Sequence, residues 1–112
     1  ICKMRFLLFL TIILSSCTYD EIDLCSTQEP SFSECVKPII EQNCVTCHRN
    51  NSQNGLLQTY EEIKQYMDNG KLLDRIQRDA NAVGVMPPSG QKLSNNEIQI
   101  LKTWYENGSP NN

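Results

Sequence analysis

The chain has 112 residues, which is enough for one domain and not for several. It carries ten basic and thirteen acidic side chains, with a formal net charge of −3. This balance excludes the clustered basic surface that nucleic acid requires, so we expect no nucleic-acid partner.

The N-terminal residues have the pattern of a secretory signal. Lys3 and Arg5 precede an apolar run over residues 6–14, and two serines then lead to Cys17. A basic flank, a short apolar stretch and small residues are typical of a signal peptide. The run is about half of the roughly 20 residues that a membrane-spanning helix needs. We therefore interpret residues 1–16 as a signal peptide and not as a transmembrane anchor.

Cys17 ends the sequence Leu-Ser-Ser-Cys, which resembles the bacterial lipobox. The lipobox cysteine is acylated and becomes the first mature residue, and two or more acyl chains anchor a protein stably at a membrane. We therefore expect an exported lipoprotein of the periplasm or cell envelope, bound to the membrane through lipid on Cys17. An ordinary signal peptide that contains a cysteine is the alternative. Removal of residues 1–16 leaves a net charge of −5, which favours basic protein partners by electrostatic steering.

Residues 17–30 are polar and acidic, and residues 31–112 carry helical signals. The first segment has little to bury, so we interpret it as a tether between the lipid and a domain over residues 31–112. Apolar residues recur at three and four positions from Ser33 into Cys44, and Pro38 favours a helix start near residues 37–38.

Three more short helices are predicted after a polar loop. Thr59 can cap the second, which Asn69 and Gly70 end, and Ser94 with Glu97 forms a capping box for the last. Two glycines and two prolines make residues 80–92 irregular. The apolar faces of the four helices are Val36, Ile39 and Ile40; Tyr60, Ile63 and Met67; Leu72, Leu73 and Ile76; and Ile98, Leu101, Trp104 and Tyr105. No alternating pattern appears, so the predicted fold is all-α, with about four short helices.

The sequence Cys44-Val45-Thr46-Cys47-His48 has the spacing of a c-type haem attachment site. Two thiols at this spacing add across the two vinyl groups of one haem, and the adjacent histidine becomes the proximal iron ligand. A zinc site needs about four protein ligands, but His48 is the only histidine. A thioredoxin-like redox pair needs a βαβ context that the sequence lacks. A domain this small also needs a staple, which a haem would supply.

Met86 is the predicted sixth ligand of the iron. A single histidine excludes bis-histidine ligation within one chain, and Met67 lies on a helix face as a core residue. Met86 lies between Gly84 and Pro87, in a stiff loop that allows close approach. Ligation by histidine and methionine raises the reduction potential and leaves no open position. The alternative is that Met86 packs against the haem edge and leaves the iron five-coordinate.

Cys25 and Cys35 remain outside the attachment sequence. In an exported protein two such cysteines favour a disulfide, which would fasten the tether to the first helix. Two free thiols are the alternative.

These motifs together resemble the class I cytochromes c. The resemblance covers about residues 33–110 and uses the attachment sequence, Met86-Pro87, and a terminal helix over Leu93–Trp104 followed by Gly108. More narrowly, the chain is similar to small lipoprotein-like monohaem cytochrome c domains of Bacteroidetes-type bacteria. The resemblance implies a small cytochrome c-like fold around a covalent haem, whose first and last helices cross with Ile40 and Leu101 or Trp104 near the crossing. The loop from His48 to Thr59 is shorter than the family pattern, so no side chain is assigned to the haem propionates.

We therefore expect an extracytoplasmic monohaem electron carrier. One haem c would be attached at Cys44 and Cys47, with its iron ligated by His48 and Met86. The protein would exchange electrons with redox partner proteins and catalyse no bond chemistry of its own. The alternatives are a haem-bearing electron-entry subunit of a larger oxidoreductase, and a haem sensor or ligand-binding module with an open sixth position.

Overall fold

Helices form at all four places that the apolar spacing predicts. In this computed structural model, which describes residues 25–88 and 90–112, α1 spans Lys37–Asn43, α2 Tyr60–Asp68, α3 Lys71–Gln77 and α4 Asn95–Glu106. These residues contain no strand, and the all-α prediction is confirmed. The predicted signal peptide, Cys17 and the first part of the predicted tether lie outside the described residues. Within those ranges, no helix is long and apolar enough to cross a membrane.

A π-helical segment, Phe32–Val36, precedes α1 and runs directly into it. The Ser31 hydroxyl accepts a hydrogen bond from the Glu34 amide at its start, at 3.2 Å. At its end, the Lys37 amide donates to the carbonyl of Phe32, five residues back. Pro38 has no amide hydrogen to donate and lies in the first turn of α1, where that loss costs little. The helical signal that begins at Ser33 corresponds to the π-helical segment, and the start predicted near residues 37–38 corresponds to the start of α1.

Capping boxes fix the starts of the two longest helices. The Ser94 hydroxyl and the Glu97 carboxylate bond each other's backbone amides at α4, as predicted. Thr59 and Glu62 do the same at α2. Thr59 was predicted to cap α2, whereas Glu62, which stands at the same spacing as Glu97, was not identified from the sequence.

The core is centred on three aromatic rings from three elements. The rings of Phe32 and Tyr60 meet edge to face with centroids 5.2 Å apart, and each also contacts Trp104, at 5.9 and 6.1 Å. Trp104 is fully buried, and its indole donates to the carbonyl of Pro110 at 2.9 Å. The hydroxyl of Tyr60 donates to the carbonyl of Ser109 at 2.7 Å. The aromatic contacts and these hydrogen bonds join three elements into one unit: the π-helical segment Phe32–Val36, α2 and α4.

The first and last helical regions pack together. Ile40, Leu101 and Trp104 belong to one buried cluster, and α4 contacts the π-helical segment. The Asn43 side-chain amide donates to Glu97 of α4 at 3.3 Å. Ile100 is also buried, although it lies outside the predicted face, because α4 packs against α3 as well.

Cys25 and Cys35 form a disulfide, and the pairing predicted for them is confirmed. Their Cα atoms are 4.9 Å apart, and Cys35 is buried against the core. The Asn107 side chain also donates to the carbonyl of Gln28 at 3.0 Å. The last part of the predicted tether is therefore fastened to both ends of the helical domain.

We expect Trp104→Ala to lower the free energy of unfolding by about 3–5 kcal/mol, because it removes the ring on which three elements pack. Urea unfolding followed by far-ultraviolet circular dichroism measures this, since the variant has no tryptophan left to fluoresce. Val83→Ala is the matched control: Val83 is 93% exposed, and its truncation should change stability by less than about 0.5 kcal/mol. Equal stabilities of the two variants would contradict the central role of Trp104.

Candidate functional site

A cleft of about 600 Å³ contains all four predicted site residues. Cys44, Cys47, His48 and Met86 all line it, together with residues of α3. The volume lies within the range of roughly 300–1,000 Å³ that is usual for ligand and cofactor pockets. Residues that are distant in the sequence therefore meet at one site, as the haem hypothesis requires.

The attachment sequence continues α1 by one irregular turn. The Cys44 amide donates to the carbonyl of Ile40 at 2.8 Å, and the His48 amide donates to the carbonyl of Cys44 at 2.9 Å. This turn brings both thiols and the imidazole to the cleft. Cys44 is half-buried, Cys47 is exposed, and both are free thiols.

His48 is oriented by a hydrogen bond that its imidazole donates to its own loop. The Nδ1 atom lies 3.1 Å from the carbonyl oxygen of Gly55. A carbonyl only accepts, so Nδ1 carries the hydrogen in this contact, and in the neutral imidazole the lone pair is then on Nε2. This is the tautomer that a metal-binding histidine uses, with its second nitrogen fixed by a carbonyl.

Gly55 was not singled out by the sequence analysis, which identified only a polar loop. Its backbone has a positive φ of 88°, and a Cβ atom there would collide with the hydroxyl of Tyr66 on α2. Any side chain here would therefore force either the Tyr66 hydroxyl or the Gly55 backbone, whose carbonyl orients His48, to shift. The Asn54-Gly55 pair was the available signal, because such pairs favour positive φ.

Met86 reaches the cleft from the irregular loop after α3. Its amide donates to the carbonyl of Arg75 at 3.0 Å, and the side chain is half-buried beside the buried Pro87. Met67 is 1% exposed within the core cluster, so its prediction as a core residue is confirmed.

The Cys44 thiol is held in its neutral form. Burial raises its pKa from 9.0 to about 11, and the charges of Glu97 and Cys47 add to the effect. Reactive cysteines have a lowered pKa instead, so the thioredoxin-like alternative gains no support from this environment.

The charged side chains of α3 at the cleft are both cationic. Lys71 and Arg75 are four residues apart, hence on one face of the helix, and both line the cleft. Among the residues that the structure describes, no carboxylate lines it. The cleft therefore suits a ligand with an apolar body and an anionic edge.

No group of three or more histidine, cysteine, aspartate or glutamate side chains that could hold a metal ion is found in residues 25–88 and 90–112. A haem iron ligated by one histidine and one methionine uses a different donor set.

No family model, curated protein or solved structure matches this chain significantly.

We expect Gly55→Ala to disturb the His48 loop far more than Gly70→Ala. Both glycines have positive φ, 88° and 75°, but a Cβ at Gly70 meets nothing within 4 Å. Gly70→Ala should cost about 1–2 kcal/mol for the backbone alone, and Gly55→Ala more, because of Tyr66. Urea unfolding measures both, and Tyr66→Phe should recover part of the loss in the Gly55 variant. Equal losses without recovery would contradict the contact.

In the haem-free Cys47→Ser variant we expect Cys44 to be alkylated by iodoacetamide with a pH midpoint above the ordinary thiol pKa of 9.0, because burial, the largest cause of the raised pKa, remains. Glu97→Gln should lower that midpoint, because the amide keeps the capping geometry and removes the charge. The raised pKa stabilises the fold fully below about pH 9, and this contribution falls as the pH rises towards 11. A midpoint at or below 9 would contradict the burial of this thiol.

Proposed function

We propose that this protein is a small extracytoplasmic c-type cytochrome that carries electrons. One haem c would be attached through Cys44 and Cys47, and His48 and Met86 would ligate its iron. The observation that carries the proposal is that Met86, from a distant loop, lines the same cleft as the attachment sequence. This also favours a small cytochrome c-like fold for the four helices.

The lining of the cleft fits a haem. Leu57, Leu72 and Ile76 are buried hydrophobic residues along it, which suit the apolar face of a porphyrin. Lys71 and Arg75 offer positive charge for the two propionates. The residues present therefore match both the apolar and the anionic parts of the group.

His48 and Met86 determine the kind of chemistry. The bound haem would supply a one-electron couple between ferric and ferrous iron. His48 would offer Nε2, oriented through Nδ1 by Gly55, and Met86 would offer a thioether from the loop after α3. Two protein ligands leave no position for a substrate, which favours electron transfer over catalysis. We therefore propose redox proteins as partners and no bond chemistry in this chain.

The disulfide supports the proposed location. Disulfides such as Cys25–Cys35 persist in oxidising compartments, including the bacterial periplasm and cell surface. This agrees with export by the signal over residues 1–16. We propose that lipid on Cys17 then holds the domain at a membrane of the cell envelope.

We expect the chain, expressed with a cytochrome c maturation system, to retain haem after denaturation and to give a c-type pyridine spectrum. Cys44→Ala or Cys47→Ala should shift that spectrum to the form with one thioether bond. Met86→Ala should abolish the weak red absorption band of iron–thioether ligation and allow carbon monoxide to bind the reduced protein. Met67→Leu is the matched control and should keep the band.

Loss of all haem on denaturation would refute the proposal. Retained haem without the methionine band, with carbon monoxide binding to the unsubstituted protein, would favour the sensor or ligand-binding alternative. An electron-entry subunit would show the same spectrum as a carrier but would copurify with an oxidoreductase.

A further inference from the structure

The loop that carries Met86 is held against α3 by basic side chains at both of its ends. Arg75 Nη1 donates to the carbonyl of Gly84 at 3.1 Å, and Arg78 Nη1 donates to the carbonyl of Val83 at 2.6 Å. From the far end of the loop, Lys92 Nζ donates to the carbonyls of Ile76 and Arg78 at 2.8 and 3.0 Å. We call Arg75, Arg78 and Lys92 the loop clamp.

The side chains of the loop clamp are exposed or only partly buried, but their hydrogen bonds are strong because each donor is charged. A hydrogen bond from a charged group contributes roughly twice as much as one between neutral groups. Lys92 also satisfies carbonyls at the C-terminal end of α3, where a positive charge is favoured. The loop clamp therefore stabilises the loop and the end of the helix together.

Asp74 orients the most tightly bonded member of the loop clamp. Its carboxylate accepts from Nη2 of Arg78 at 2.6 Å and from Nε at 3.5 Å. The remaining nitrogen, Nη1, then points to the carbonyl of Val83. Because the guanidinium group is planar, fixing one edge fixes the direction of the other donor.

Gly84 gives the loop clamp its close approach. A Cβ atom at this position would collide with the guanidinium groups of both Arg75 and Arg78. Its φ of +77° is also a conformation that glycine adopts most readily. Two residues later, the amide of Met86 donates to the carbonyl of Arg75.

We propose that the loop clamp, oriented by Asp74, positions Met86 and determines how readily it leaves the iron. The clamp residues hold the backbone on both sides of Met86 without ligating the metal, so they are positioning residues. This inference depends on the proposed haem ligation. Charged surface residues would then determine whether Met86 stays bound, as in an electron carrier, or leaves the sixth position of the iron accessible.

Binding of imidazole to the ferric haem protein tests this inference. Imidazole competes with Met86, so its apparent affinity rises with the fraction of protein in which Met86 is displaced. Arg78→Gln should raise that affinity about tenfold, the effect expected from losing a hydrogen bond to a charged group. Asp74→Asn should raise it less, and Arg78→Lys should restore part of the wild-type value.

Lys64 and Asp68 supply matched controls on α2. They form an ion pair four residues apart, with Lys64 Nζ 2.6 Å from the Asp68 carboxylate and no part in the Met86 loop. Lys64→Gln and Asp68→Asn change the charge by the same amounts as the test variants and should leave imidazole affinity unchanged. A merely structural role for Arg78 would lower the urea midpoint and leave imidazole affinity as it was.

The outcomes separate this inference from the proposed function. Equal imidazole affinities for Arg78→Gln and Lys64→Gln would overturn the loop clamp alone, provided that the red band shows Met86 bound in the unsubstituted protein. Covalent haem without that band would overturn the ligation by Met86 and the loop clamp, and would leave haem attachment standing. Absence of covalent haem would overturn the proposed function and, with it, the loop clamp.

Discussion

The contact of Phe32 and Tyr60 with the ring of Trp104 is the interaction on which the rest of the structure depends. It joins the π-helical segment Phe32–Val36 to α2 and to α4, and these three elements are far apart in the sequence. None of these three helical pieces is long enough to be stable alone, so their order comes from this shared burial. These three rings do not line the cleft, whereas Cys44, Cys47 and His48, which follow α1, do.

The cleft and the loop clamp share one short helix. One face of α3 lines the cleft with Leu72 and Ile76, while Arg75 and Arg78 hold the Met86 loop. The two sides of the proposed haem site are therefore built differently. The His48 side depends on a glycine that permits a tight approach, whereas the Met86 side depends on charged hydrogen bonds at the surface.

The sequence was sufficient for the parts of the structure that depend on local spacing. Periodic apolar residues located the helices, and Ser94 with Glu97 located the start of α4. The bond from His48 to Gly55 and the bonds from Arg78 to the Met86 loop could not be predicted, because they depend on where a loop folds back in space. Ile100 was missed for a similar reason, since α4 is covered by two neighbours and buries more than one face.

The two ends of the described chain lie at one corner of the domain. Cys25 is bonded to Cys35, and Asn112 accepts hydrogen bonds from the amides of Phe32 and Ser33. None of these residues lines the cleft. We therefore expect residues 25–112 to tolerate insertion into a surface loop of another protein, or circular permutation that joins residues 25 and 112, with the cleft left intact.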